Sequence, residues 1–232
     1  MSIIKELIYP PRCPMCDEIL LLGAGKICKA CRSKPEYVVE PACRKCGKPL
    51  QFMEEEYCSD CMERRHNFKE GAAVFFYPSV KESVYRFKYE GRQEYAAYYG
   101  EQVRLRLGQK IKQWNPDGLI PVPLHKKKKQ KRGYNQAEVL AKAISREMGI
   151  PVYSNLVVRI RNTVPQKELD IQARENNLKR AFKICRNDVK LKTIIIIDDI
   201  YTTGSTMDAL ALECKRAGIE NIYCISLAIG RS

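Results

Sequence analysis

Residues 194–206 read IIIIDDIYTTGST, an apolar run that ends in two adjacent carboxylates and a turn of hydroxyls around one glycine. Side chains alternate faces along a strand, so one of Asp198 and Asp199 must point toward a core, where an unpartnered charge is costly. Such a pair needs a ligand or a partner. Gly204 lets a backbone approach a ligand closely, and Thr202, Thr203, Ser205 and Thr206 offer hydroxyls. A helix expected from about Ser205 aims its free N–H groups into the same space, which makes an anion site of phosphate size. Beside it, two carboxylates can accept hydrogen bonds from vicinal hydroxyls or hold a hydrated Mg2+. A phosphate cradle next to a diol clamp describes a ribose 5-phosphate.

The second constellation is made of thiols. Cys13/Cys16, Cys28/Cys31, Cys43/Cys46 and Cys58/Cys61 are four Cys-x-x-Cys pairs that recur every fifteen residues. Two thiolates two residues apart reach one tetrahedral zinc from a single knuckle, and a second knuckle completes a closed four-thiolate site. Eight thiolates therefore predict two structural Zn2+ ions. Disulfides would need an oxidising compartment, and MSIIKELIYPPRC lacks the apolar core of an export signal. Spacing alone permits consecutive or crossed pairing; CPMC and CRKCGKP both resemble the tight first knuckle of a ribbon, which favours consecutive pairing. Cys185, Cys214 and Cys224 sit in apolar surroundings and are expected to be core residues.

The elements that must position these groups follow from periodicity. AAVFFYP reads as a first strand, with helical stretches from about Ser79 and from about Gln93 to Trp114. LIPVP is a short strand, VYSNLVV and TIIIID are strands, a helix spans about Ser205 to Ala217, and IYCISLA closes the order. Asn135 is placed to cap a helix with Ala137, Leu140, Ala141, Ile144 and Met148 on its apolar face. Strands alternating with helices predict an α/β fold, a mostly parallel sheet with helices on both faces, whose ligands sit beyond the carboxyl ends of the strands. A cysteine-rich module over 1–66 ahead of an α/β domain over 67–232 is expected, the module melting by itself on loss of metal. No apolar run reaches the ~20 residues of a membrane span, so a cytoplasmic protein without membrane insertion is expected.

Charge adds a second theme. The chain carries a formal +14, concentrated in residues 123–134, with six Lys/Arg and no acid, and in residues 159–192, with ten Lys/Arg against four acids. Two basic segments point to a phosphate-rich partner, small ligand or nucleic acid. In VYRFKYEGRQEYAAYYG, aromatic and basic residues interleave as they do where single strands stack. Phe87, Lys88 and Tyr89 are candidates for that role with Lys126, Lys127, Lys128 and Lys129, whereas Tyr95, Tyr98 and Tyr99 read as the buried side of an amphipathic helix. His125, beside four lysines, reads as a solvated loop residue.

An apolar strand, two acids and a Thr/Gly/Ser turn entering a helix resembles the 5-phosphoribosyl-1-pyrophosphate (PRPP) motif of type I phosphoribosyltransferases. A Walker loop is absent. IPVPLHKKKKQKRGYNQAEVLA, FKYEGR and QKELDIQARENNLKRAF are similar to segments that mark the ComF family of competence-related proteins, which carry a zinc module ahead of a phosphoribosyltransferase domain. The resemblance implies that Asp198 and Asp199 bind the ribose hydroxyls of Mg2+-bound PRPP. It implies that Thr202, Thr203, Gly204, Ser205 and Thr206 hold the 5-phosphate. Lys131 and Arg132 would face pyrophosphate, and Gln166, Arg174 and Asn177 would belong to a closing flap. Asp198, Asp199 and Arg132 would then be the catalytic residues of a phosphoribosyltransferase acting in uptake or processing of single-stranded DNA. The alternative is a non-catalytic single-strand binding protein whose PRPP site is regulatory or vestigial. The zinc module would offer a platform for DNA-uptake proteins.

Overall fold

A run of four isoleucines can satisfy two hydrophobic layers at once, because a strand's successive side chains leave on opposite faces. The computed structural model, which describes residues 10–21, 23, 25–160, 181–185 and 190–230, is built around that property. Its elements in chain order are α1 (Ser59–Glu63), β1 (Glu70–Phe76), α2 (Tyr77–Tyr89), α3 (Ala96–Trp114), β2 (Gly118–Pro121), α4 (Lys126–Arg132) and α5 (Gln136–Met148). They continue as β3 (Val157–Arg159), β4 (Phe182–Ile184), β5 (Thr193–Tyr201), α6 (Ser205–Arg216) and β6 (Asn221–Ile229).

Four strands pair in parallel in the order β1-β6-β5-β2. Ile194 and Ile196 face a core shared with Met207, Leu210 and Ala211 of α6. Ile195 and Ile197 face the opposite core, with Phe87 of α2, Tyr99 and Val103 of α3, and Leu140 and Ile144 of α5. The chain leaves β2 outward, toward Val152, which bridges Leu119 in parallel, and returns to β5 on the inner side. The β2–β5 crevice is therefore the switch point of the sheet, the place where open α/β sheets bind ligands.

Both edges of the sheet are covered. On β1, Phe76 N–H donates to Glu36 O and Val38 N–H donates to Val74 O, so the segment between the two ribbons lies antiparallel along the free edge. This cover blocks strand addition from another chain.

The structure redraws two expectations. VYSNLVV is not one strand: Val152 sits beside β2, a turn intervenes, and Val157–Arg159 pairs antiparallel with β4 in a separate two-stranded sheet. The lysine run forms a helix, α4, in which His125 occupies the N-cap and its ring nitrogen accepts from Lys127 N–H, so His125 is a cap rather than a loop residue. Asn135 caps α5 as expected, its side chain accepting from Ala137 N–H while it donates to Val122 O. Cys214 and Cys224 are buried, while Cys185 is only half-buried.

The ribbons do not stand apart from the sheet. Cys43, Cys46 and Cys58 lie in the same buried cluster as Phe68, Ala73 and Ile194. Gly47, at φ +79, presses its backbone on β1 so closely that a Cβ there would fall 2.8 Å from the Ala72 Cα. The first ribbon packs Met15 and Ile27 against the other core, and Asp17 in its knuckle accepts from Arg92 at 2.8 Å and from the Tyr95 hydroxyl at 2.5 Å.

Candidate functional site

At the β2–β5 switch point a cavity of about 230 Å³ is lined by Asp198, Asp199, Tyr201, Thr202, Gly204 and Thr206, with Val122, Leu124 and Gln136 from the β2 side. Alternation along β5 decides the fate of the two acids. Asp199 turns to the side of α2, where the Lys88 ammonium lies 2.8 Å from Oδ2; their side chains are 5% and 17% exposed. Asp198 turns to the other side and accepts from Asp199 N–H at 2.9 Å. Burial, with the neighbouring Asp199 charge adding to it, pushes the Asp198 carboxyl up to about 7, and Lys88 pulls the other way. A pair with one cation and two acids in a cleft has room for a further positive charge or for hydroxyl donors.

The turn after the acids leads into the N-terminus of α6, beside the cavity. Gly204 stands at the N-cap of α6 at φ +75, and a Cβ there would meet the Tyr201 hydroxyl at 2.3 Å, so both conformation and space demand glycine. Gly204 has no side chain to cap the helix, and the N-terminus of an α-helix is where backbone N–H groups suit an anion. Thr202 and Thr206 line the cavity with Gly204, whereas the Thr203 and Ser205 hydroxyls lie 2.9 Å apart, hydrogen-bonded to each other.

Cations approach from α4 and β3. Arg132 stacks on Tyr89, 4.9 Å to the ring centroid, and donates to Gln136, which lines the cavity. Arg159 lines the cavity itself and its charge is opposed to Asp198. Burial first, then Arg159 and Arg132, pull the Lys128 ammonium below its usual value, so these three cations share one region. Lys126, Lys127 and Lys131 are exposed and do not line the cavity, so Lys131, expected at the pyrophosphate, lies with the solvent-facing lysines, and Lys129 pairs with Glu138 at 3.5 Å.

The nucleic-acid candidates separate. Phe87 is fully buried against Tyr99 and Tyr134 and cannot receive a base, which corrects its assignment. Lys88 faces Asp199 inside the cavity, not an external strand. Tyr89 remains exposed and pairs with Tyr85, 5.1 Å between ring centroids. Gln166, Arg174 and Asn177 lie outside the described residues. Sequence reasoning did not single out Arg159, Gln136 or Tyr201, since each reaches the site only through the folding of a distant segment.

The thiols gather as two quartets, Cys13/Cys16/Cys28/Cys31 and Cys43/Cys46/Cys58/Cys61, in consecutive pairing, with all four sulfurs of each within 4.8 Å of one another. Sulfurs of neighbouring knuckles lie 3.8 Å apart at Cys16/Cys28 and 3.7 Å at Cys46/Cys58. Zn–S bonds of ~2.3 Å at tetrahedral angles require S···S of about 3.8 Å, the spacing at which these cross-knuckle sulfurs already stand, so both quartets fit zinc. Elemental analysis of metal-replete protein is expected to return two zinc ions per chain; a value of one or none would refute the reading of two closed four-thiolate sites. Among the described residues no helix is long and apolar enough to cross a membrane.

Comparison with known proteins finds a family match in each half of the chain. Residues 4–62 match the double zinc ribbon domain and residues 135–232 match the phosphoribosyl transferase domain. Competence protein F of Haemophilus influenzae is 28% identical over 228 residues, covering 94% of this chain and 96% of the relative. DNA utilization protein YhgH of Escherichia coli is 28% identical over 225 residues, covering 94% of this chain and 98% of the relative. Competence protein ComFC of Bacillus subtilis is 29% identical over 203 residues, covering 81% and 77%.

Proposed function

We propose that this chain, a ComF-type protein in which a double zinc ribbon precedes a phosphoribosyl transferase domain, binds PRPP in the β2–β5 crevice and transfers its 5-phosphoribosyl group. The observation that carries the reading is the convergence, on one cavity, of the Asp198/Asp199 pair, the uncapped start of α6 and the Arg159 guanidinium. In the transfer, the C1–O bond to pyrophosphate breaks, the electron pair leaves with pyrophosphate, and a nucleophile bonds to C1. Asp198 and Asp199 accept hydrogen bonds from the ribose 2- and 3-hydroxyls. The α6 amides and the Thr202 and Thr206 hydroxyls hold the 5-phosphate, and Lys128, Arg132 and Arg159 face the pyrophosphate. Mg2+, arriving with the ligand, would neutralise charge on the leaving group. The chain's own contribution is orientation and a fixed field around a sugar that becomes positively charged.

Calorimetric titration tests this directly. PRPP with Mg2+ is expected to bind at one site per chain; absence of heat at millimolar PRPP would refute the reading.

The names of the relatives and the exposed face of α4 support a role with single-stranded DNA. Lys126, Lys127 and Lys131 are exposed to solvent, while Lys128 and Arg132 share the region of Arg159 near the cavity and Arg132 also stacks on the exposed Tyr89. The two faces are therefore separable by mutation. Joint replacement of Lys126, Lys127 and Lys131 by Gln is expected to leave PRPP affinity unchanged. It should flatten the slope of log affinity for oligothymidylate against log salt by ~0.7 for each phosphate no longer neutralised. Lys128→Gln with Arg132→Gln should weaken PRPP instead. Identical salt slopes in wild type and the triple variant would defeat the nucleic-acid role of this helix.

A further inference from the structure

His66 is nearly enclosed, with its side chain 1% exposed, and it stands between two parts of the protein that the sequence separates by 142 residues. Its Nε2 lies 3.4 Å from the Sγ of Cys61, a member of the second thiol quartet. Its Nδ1–H donates to Asp208 Oδ2 at 2.6 Å, since a carboxylate can only accept. Asp208 lies in the first turn of α6, four residues after Gly204, and its own N–H donates to Gly204 O. Asn67 N–H donates to the other Asp208 oxygen at 2.7 Å, so the carboxylate is held at both ends, and Phe68 stacks on the imidazole with centroids 4.8 Å apart.

A second path runs beside the first. Tyr201 is 5% exposed and lies in the buried cluster that holds Cys43, Cys46 and Cys58, with Cys61 packed against it. Its hydroxyl is also the atom that a Cβ at Gly204 would strike. The thiol quartet thus touches the hydroxyl turn through the ring of Tyr201 and through the pair His66–Asp208. Outer partners of a metal ligand fix its orientation, and here the partner's far end is a helix N-terminus.

We propose that the second four-cysteine site is the anchor of the phosphate turn: a zinc-bound Cys61, acting through His66 and Asp208, fixes the first turn of α6 in the geometry that receives an anion. His66 and Asp208 are positioning residues in this arrangement, and the first quartet, which packs against α2 and α3, is not part of it. The inference rests on reading residues 202–206 as the 5-phosphate site, but the tie itself is measurable without any ligand.

The test is hydrogen exchange of peptides spanning 202–208 in the full chain loaded with zinc, comparing wild type, His66→Ala and Asp208→Asn, with zinc counted in each. Both variants are expected to exchange roughly 10-fold faster in this turn while β6 is unchanged, and to bind PRPP roughly 10-fold or more weakly, within the range for outer partners of metal ligands. With cobalt in the second site, His66→Ala should shift the thiolate-to-metal absorption band. Unchanged exchange at 202–208 in Asp208→Asn with two zinc ions retained would overturn the proposal, even if His66→Ala loses its metal. Wild type that fails to bind PRPP would sink the transferase reading, while the exchange rates would still decide the tie.

Discussion

Asp199→Asn is expected to abolish high-affinity PRPP binding and to destabilise the fold as well. The sequence offers no structural partner for this carboxylate, and on that basis only ligand affinity should suffer. The structure supplies one: Lys88, whose ammonium lies 2.8 Å away in a site where both side chains are largely enclosed. Removing one member of a buried pair strands the other, at a cost of about 3–5 kcal/mol, and the nearby Asp198 charge places the expected loss at the lower end, ~3 kcal/mol. Loss of a charged hydrogen bond to the ribose adds ~1.5–3 kcal/mol on the binding side. The double variant Lys88→Met/Asp199→Asn should regain most of the stability and none of the affinity, because neither charge is then left alone. Urea denaturation and calorimetry separate the two effects. A single variant as stable as wild type would mean the ion pair is solvated, and unchanged PRPP affinity would remove Asp199 from the site.

Chelation of zinc should melt the chain as one unit. An N-terminal module that merely precedes a domain would unfold by itself and leave the sheet intact. Here Cys43, Cys46 and Cys58 are packed into the cluster that holds Ile194, Ile196 and Leu210, and residues 36–38 are hydrogen-bonded along β1. Structural zinc contributes apparent binding free energies of ~10–16 kcal/mol, as large as the whole stability of an ordinary domain at ~5–15 kcal/mol. Trp114, the single tryptophan, reports on the sheet because it stacks on Tyr223 of β6 with centroids 4.6 Å apart. Its emission is expected to change together with zinc release when chelator is added under mild denaturant. Zinc release with Trp114 unperturbed, followed by a second transition, would show that the ribbons and the sheet fold independently.

Much of this architecture is legible in the residues. The isoleucine run, the acid pair and the hydroxyl turn specify a strand, a switch-point site and a helix start in thirteen consecutive positions, and the fifteen-residue recurrence of cysteine pairs specifies the ribbons. What stays hidden is long-range. Phe87, Lys88 and Tyr89 are neighbours in one aromatic and basic stretch, yet helix geometry turns each about 100° from the last. One enters the core, one enters the cavity and one remains in solvent. The lysine run shows no apolar periodicity, so its helix is visible only through its cap. His66 and Arg159 gain their meaning from residues 142 and 39 positions away, Asp208 and Asp198, and local pattern carries no trace of such pairing.

The position of β6 in the sheet has a kinetic consequence. It lies between β1 and β5, so β1 gains its parallel partner only when residues 221–229 arrive, about 150 positions later in the chain. Pairings of that separation raise contact order and slow folding, because loop closure must precede the contacts that reward it. During synthesis both ribbons can take up metal long before the surface on which they rest exists. Residues 36–38 can pair with β1 at once, so the nascent chain guards one edge of β1 locally while it waits for β6. Weakening that local pairing should therefore show first as aggregation during expression, before any loss of stability in the finished protein.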